Sequence, residues 1–163
     1  MKYIFFILIS GLLVSHCGNE NKDNKHTNTE TGKTDSITPV TDVSGCYRRI
    51  LARDTFTAIL EQKESAINGK LIFDNYQKDG SAGDVKGKIE GDIIKLIYTF
   101  NSEGMRSVMH VYFRSQHNGL IRGIGDMETR GDTAYFKNKE MIIFPEDENW
   151  SKISCDEVND ILK

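Results

Sequence analysis

The sequence predicts an all-β domain, a small antiparallel meander barrel of eight or nine strands over 43–163. Three observations carry that prediction. The stretch 83–113 reads as three consecutive strands, 85–89, 93–100 and 107–114, separated by the turn signals Glu90-Gly91-Asp92 and Asn101-Ser102-Glu103-Gly104. The same short-strand, short-turn style recurs from Cys46 to Cys155 with no convincing long helix, the pattern of a sandwich or an up-and-down barrel. Consecutive hairpins favour the meander. Gly69, Gly83, Gly87, Gly91, Gly123 and Gly125, in or beside strands, permit the sharp coiling that barrel corners need.

The elements follow in order. Residues 46–51 open the domain as a strand. In 55–61, Phe56, Ala58 and Leu60 share one face while Thr55, Thr57, Ile59 and Glu61 share the other, a period of two. Asn68-Gly69 is expected to form a type I′ hairpin turn, because both residues tolerate positive φ. Residues 70–77 make the next strand, and Lys78-Asp79-Gly80-Ser81 turns the chain into the three central strands. His117-Asn118-Gly119 then leads into a strand over 120–125. Arg130-Gly131-Asp132 leads into short strands over 133–137 and 140–144. That tripeptide matches an adhesion motif, but Gly-Asp is ordinary turn chemistry. The tail carries Trp150 and Cys155 and is expected to close in a turn or short helix with Asp156 as N-cap.

Upstream of the domain the chain changes character twice. Behind Met1-Lys2, residues 3–14 are apolar except for Ser10 and Gly11. That run is shorter than the about 20 residues that span a bilayer, and it fits the apolar region of a signal peptide over 1–16. It ends at Leu13-Val14-Ser15-His16-Cys17, which resembles the lipobox of bacterial lipoproteins. Val14 and Ser15 match the pattern, whereas His16 stands where Gly, Ala or Ser is usual. The resemblance implies that Cys17 is acylated (palmitate among its chains) and becomes the N-terminus. With Gly18 rather than Asp next to it, it implies the outer membrane. The alternative is an unlipidated Cys17 after an ordinary secretory signal. Residues 17–42 are then a polar tether, too poor in apolar side chains to offset backbone entropy of about 1–2 kcal/mol per residue. Such a leash has an r.m.s. length of roughly 25–30 Å.

Three cysteines in an exported chain leave one over after pairing. Cys46 and Cys155 bracket the strand-rich region, so a disulfide between them would join the first strand to the closing segment. Two separate buried thiols are the alternative. No CxxC spacing is present, which makes the bond structural rather than catalytic.

Function is less legible. The net charge of −3 gives no basic footprint for nucleic acid. The chain contains no GxSxG, HExxH, P-loop or dinucleotide fingerprint, and neither cofactor nor metal is expected. His110 and His117 are seven residues apart and face opposite sides of one strand; His26 is a solvated tether residue. The central strands place polar groups in phase with apolar ones. Tyr98 shares a face with Ile94 and Leu96, and His110, Tyr112 and Arg114 share one face of the next strand. Arg122 lies beyond, in phase with Leu120 and Ile124. If that face points inward, Tyr98, His110, Tyr112, Arg114 and Arg122 line a cationic, aromatic-walled cavity for an anionic or amphipathic ligand. If it points outward they are a solvated sheet face, and Met109, Val111 and Phe113 make the better core set.

The run 83–113, with Gly83, Gly87 and Gly91 at intervals of four followed by Tyr-Thr-Phe-Asn-Ser-Glu-Gly at 98–104, resembles uncharacterised lipoprotein domains of Gram-negative bacteria. The similarity takes in Gly45-Cys46-Tyr47 and Cys155. More loosely, the design is similar to lipocalin-like and lysozyme-inhibitor-like barrels. These resemblances imply an outer-membrane-anchored, non-catalytic binding barrel, for a small molecule, an envelope component or a protein partner. The alternative is an inhibitor that inserts the loop 101–106 into a hydrolase, and a hydrolytic enzyme ranks third.

Overall fold

A computed structural model of the chain describes residues 42–102 and 104–159. The leader, Cys17, the tether up to residue 41, Glu103 and residues 160–163 lie outside the described residues. The described part holds ten strands: β1 Gly45–Leu51, β2 Asp54–Lys63, β3 Ala66–Asp74, β4 Ser81–Glu90, β5 Ile93–Ser102, β6 Met105–Gln116, β7 Gly119–Arg122, β8 Met127–Arg130, β9 Thr133–Phe136 and β10 Asn149–Ile153. A one-turn helix, α1 Asp156–Asn159, follows.

Each strand from β1 to β7 pairs antiparallel with the next, and β10 slots between β7 and β1 to close the ring. The result is a closed eight-stranded antiparallel barrel. The remaining pair, β8 and β9, is a hairpin outside it, and β9 runs parallel to the start of β6 through Val108↔Thr133 and Met109↔Ala134. Closure removes the exposed edges that an open sheet of this length would carry.

Alternation decides what faces inward. Phe56, Ala58 and Leu60 from β2, Ile94, Leu96 and Tyr98 from β5, and Val111 and Phe113 from β6 join one buried cluster with Trp150 at its centre. Trp150 is fully buried and lies 5.2 Å from Phe113, 6.1 Å from Phe56 and 6.0 Å from Phe73, ring centre to ring centre. Truncating aromatics packed this way costs about 3–5 kcal/mol each. The interior is therefore filled by side chains, as expected of an eight-stranded barrel without a large ligand.

Within β4, two glycines are required by the close approach of β5. At Gly83 and Gly87 an added Cβ would lie 2.0 Å from the Thr99 carbonyl oxygen and 1.9 Å from that of Lys95. Those contacts are with backbone, so no rotamer change relieves them, and β4 and β5 can coil tightly only because both positions are bare.

Several expected boundaries move. Asn68-Gly69 does not turn the chain; both lie inside β3, and the β2–β3 turn is made by Glu64, at φ 56°, with Ser65. Gly69 is needed for another reason: its φ is +157°, and a Cβ there would lie 1.9 Å from the Ile59 carbonyl oxygen. The strand expected over 140–144 is instead a 3₁₀ turn, Lys139–Met141, whose Glu140 N–H donates to the Asn138 side chain. Only Ile143 pairs as a strand, in a single bridge to Ile124. The strand expected over 120–125 stops at Arg122. The strands β8 and β10 arise where none was expected. Arg130-Gly131-Asp132 is a turn, with Gly131 at φ 64° between β8 and β9. At α1 the Ser154 hydroxyl, not Asp156, accepts from the Asp156 N–H.

Cys46 and Cys155 form a disulfide with Cα atoms 5.2 Å apart. It lies beside the β1–β10 pairing, which spans only Cys46↔Ile153, Tyr47↔Lys152 and Arg48↔Ser151. The covalent bond thus reinforces one of the two short seams by which β10 closes the ring. On the outside of that seam Arg48 pairs with Glu157 of α1 at 3.2 Å, and Val158 is buried.

Candidate functional site

The five residues expected to line one cavity do not all share a space: His110 and Tyr112 line one groove and His110 and Arg122 a small cavity, while Tyr98 and Arg114 lie apart. Register is the reason. Tyr98 stands opposite Met109, so the even-numbered residues of β5 face inward while the even-numbered residues of β6 face outward. Tyr98 is fully buried in the core, stacked on Phe100 with ring centres 4.6 Å apart, and its hydroxyl donates to Ser81 Oγ at 3.0 Å. Burial pushes its phenol pKa up. His110, Tyr112 and Arg114 lie on the outer wall. Arg122, opposite Phe113, faces inward at the end of the barrel. Arg114 is separated from the others: its guanidinium sits 4.4 Å above Phe144, with Asp92 at 3.5 Å.

His110 and Tyr112 do come together, in an open groove of about 530 Å³ on the outer face of β4, β5 and β6. Its floor is the backbone of Gly87 and Leu96 with the exposed side chain of Ile97. On one side Lys88 stands directly opposite Lys95 across the β4–β5 pair. Two like charges in that position repel, and the hairpin resolves it with Glu90, whose carboxylate accepts from both ammonium groups. The two lysine hydrogen bonds hold the Glu90 carboxyl down at about 2, and Glu90 in turn raises Lys95. On the other side are His110, Tyr112 and Lys139.

That second wall is built by the segment after β9. It folds back so that Ile142 and Phe144 converge with Tyr112 over Gly123, where an added Cβ would meet all three within 3.3 Å. Phe136 covers Tyr112 at 5.3 Å, so this outer-face tyrosine is buried. His110 stays half-buried with Tyr135 at 6.3 Å. Desolvation, and then the Lys139 charge, lower its pKa, so it is neutral at pH 7.

A second open groove, of about 520 Å³, continues the same face over β3, β4 and β5, with Lys70, Asp84 and Arg106 among its lining. The two grooves and Lys86 between them present Lys70, Lys86, Lys88, Lys95, Arg106 and Lys139 against Asp84 and Glu90. On a chain of net charge −3 this face is distinctly positive. Lys70 is paired with Asp84 at 2.9 Å. Among the described residues, Lys86, Arg106 and Lys139 have no ion-pair partner. No family model matches this chain, and no curated protein or solved structure does either. The site therefore rests on its own geometry.

That geometry suits recognition. Among the described residues no three His, Cys, Asp or Glu side chains group to hold a metal ion, and His110 makes no side-chain hydrogen bond to a carboxylate or hydroxyl. What the groove offers is three ammonium groups, two of them held by Glu90, with a half-buried imidazole and the exposed Ile97 side chain. Lys88, Lys95 and Glu90 were within reach of the sequence, because the Glu90-Gly91-Asp92 turn fixes the pairing of Lys88 with Lys95. Lys139 was not, since only the tertiary path of 137–144 brings it to β6.

Proposed function

We propose that this chain is an outer-membrane lipoprotein held by an acylated Cys17, whose barrel is a non-catalytic binding module for an acidic ligand. The ligand is taken on the outer face of β4, β5 and β6 rather than inside. A single observation carries the reading: the centre of the barrel is filled around Trp150, while the groove lined by Lys88, Lys95, Lys139, His110 and Tyr112, with Glu90 as its one carboxylate, is open. Ammonium groups flanking the exposed Ile97 side chain fit a ligand that combines carboxylates or phosphates with a flat or ring-shaped body, as an acidic glycan does.

The test uses an oligogalacturonate probe and its neutral methyl ester with the full-length protein. The acidic probe is expected to bind, and the variant with Lys88→Ala, Lys95→Ala and Lys139→Ala to bind it roughly 3- to 150-fold more weakly, since exposed charge pairs are worth about 0.2–1 kcal/mol each. Equal binding of the acidic probe by both proteins, or equal binding of the neutral ester, refutes the groove as the site.

A further inference from the structure

Away from the lysines of the outer groove, the barrel end formed by Arg49, Arg122 and Glu148 carries an unbalanced charge. Arg49 and Arg122 both occupy inward positions, opposite Phe56 and Phe113 respectively. Arg49 is buried and fully engaged: its Nε donates to the Asp147 carbonyl at 3.2 Å, its Nη2 pairs with Glu148 Oε1 at 3.0 Å, and the guanidinium lies 5.5 Å above Phe56. Arg122 differs. Its guanidinium lies 5.4 Å above Phe73, yet among the described residues it donates no hydrogen bond and makes no ion pair. Glu148 is the carboxylate whose field reaches Arg122, and it is already given to Arg49.

Two guanidiniums therefore face one carboxylate over a floor of Phe56, Phe73 and Trp150. Desolvation lowers the Arg122 pKa, and Arg49 adds to that against the opposing pull of Glu148. Arg122 is half-buried, so its unpaired guanidinium remains open to a ligand, and the forked donors of arginine match an oxyanion better than water does. Space is at hand. Where the edge of β6 passes from pairing with β7 to pairing with β9, a cavity of about 80 Å³ opens, lined by Arg122, by the apolar Met109, Val111, Met127 and Phe136, and by His110, which it shares with the outer groove. A cavity needs about 10–15 Å³ of such space to hold one water, so this one accepts a carboxylate or phosphate group.

We propose that Arg122 is the anchor of a second binding site, inside the barrel end, for a single oxyanion group, with Arg49 and Glu148 setting the local charge. An internal alternative exists. The Glu148 Oε2 atom is buried and accepts no hydrogen bond, so a small shift of Glu148 could bridge both arginines without any ligand.

The experiment follows the arginine Nε–H signals of the ¹⁵N-labelled full-length protein by NMR during titration with inorganic phosphate and, separately, acetate, each at constant ionic strength against chloride. A saturable shift of the Arg122 signal is expected, retained in the Lys88→Ala, Lys95→Ala, Lys139→Ala variant and lost in Arg122→Gln. Saturation by phosphate alone identifies a phosphate ligand, and by acetate alone a carboxylate. Saturation by both supports an oxyanion site without preference. No saturable shift of Arg122 with either anion, or an equal response of the surface residues Arg53 and Arg106, overturns the proposal and leaves the Glu148 bridge as the account. Because the wild-type titration stands by itself, misfolding of Arg122→Gln does not blunt the test. Its outcome is also separate from that of the oligogalacturonate experiment.

Discussion

Reducing the Cys46–Cys155 disulfide probes what holds the barrel closed. The bond spans a sequence separation of 109, and in the chain-entropy picture opening a loop of that length costs about 5 kcal/mol of stability. A domain of this size has an unfolding entropy of roughly 0.25 kcal/mol/K, so the melting temperature should fall by roughly 20 °C. The structure says why little else compensates: β10 contacts its neighbours over three residue pairs on each side. Urea unfolding followed by the fluorescence of Trp150, the single tryptophan and fully buried, reads this directly. The reduced wild type isolates the loop term. Cys46→Ala with Cys155→Ala adds the loss of a packed sulfur, since Cys46 is buried whereas Cys155 is exposed. Reduction should also steepen the denaturant dependence, because the unfolded chain expands. A loss below about 1 kcal/mol on reduction would show that the ring is held by its hydrogen-bonded seam and not by chain entropy.

Gly87→Ala should destabilise by about 1–3 kcal/mol, at the upper end because the added Cβ overlaps the Lys95 carbonyl oxygen; an unchanged urea midpoint contradicts the close approach of β4 and β5. For His110 the folded-state pKa lies below its ordinary value near 6.5, so as pH falls the unfolded chain takes up the proton first. Stability should then decline on acidification through the window just below 6.5. His110→Gln should lose less between pH 7 and pH 5 than the wild type does, and parallel melting curves would remove that explanation. Mass spectrometry of the membrane fraction should find Cys17 acylated and N-terminal, and Cys17→Ala should release the protein into the soluble fraction. An intact leader in the membrane-bound protein rules out the anchor.

Local chemistry carried much of this fold into view. Period-two alternation grouped Phe56, Ala58 and Leu60 on one face of 55–61 and Ile94, Leu96 and Tyr98 on one face of 93–100, and in the structure both sets are buried. The Gly91 turn and the bracketing cysteines were equally legible, because each depends on residues adjacent in sequence or few in number. Asn68-Gly69 misled for a physical reason: two residues that tolerate positive φ also suit a strand whose neighbour comes too close for a Cβ, and local propensity does not separate the two uses.

The candidate site required more. Alternation says which residues of one strand share a face, but the register between strands decides whose faces coincide. Tyr98 opposite Met109 rather than His110 is a fact of pairing. So is the closing strand around Trp150, which reads locally as a polar tail and becomes a strand only because β1 and β7 leave a gap of its width. By itself the sequence determined an all-β body stapled by Cys46 and Cys155, since turn residues, alternation and cysteine number act within a few residues. Only the tertiary structure decided that the body is filled and that its cations divide between an outer groove and the barrel end. Those outcomes depend on contacts such as Lys139 beside His110 and Glu148 beside Arg49, made by residues far apart along the chain.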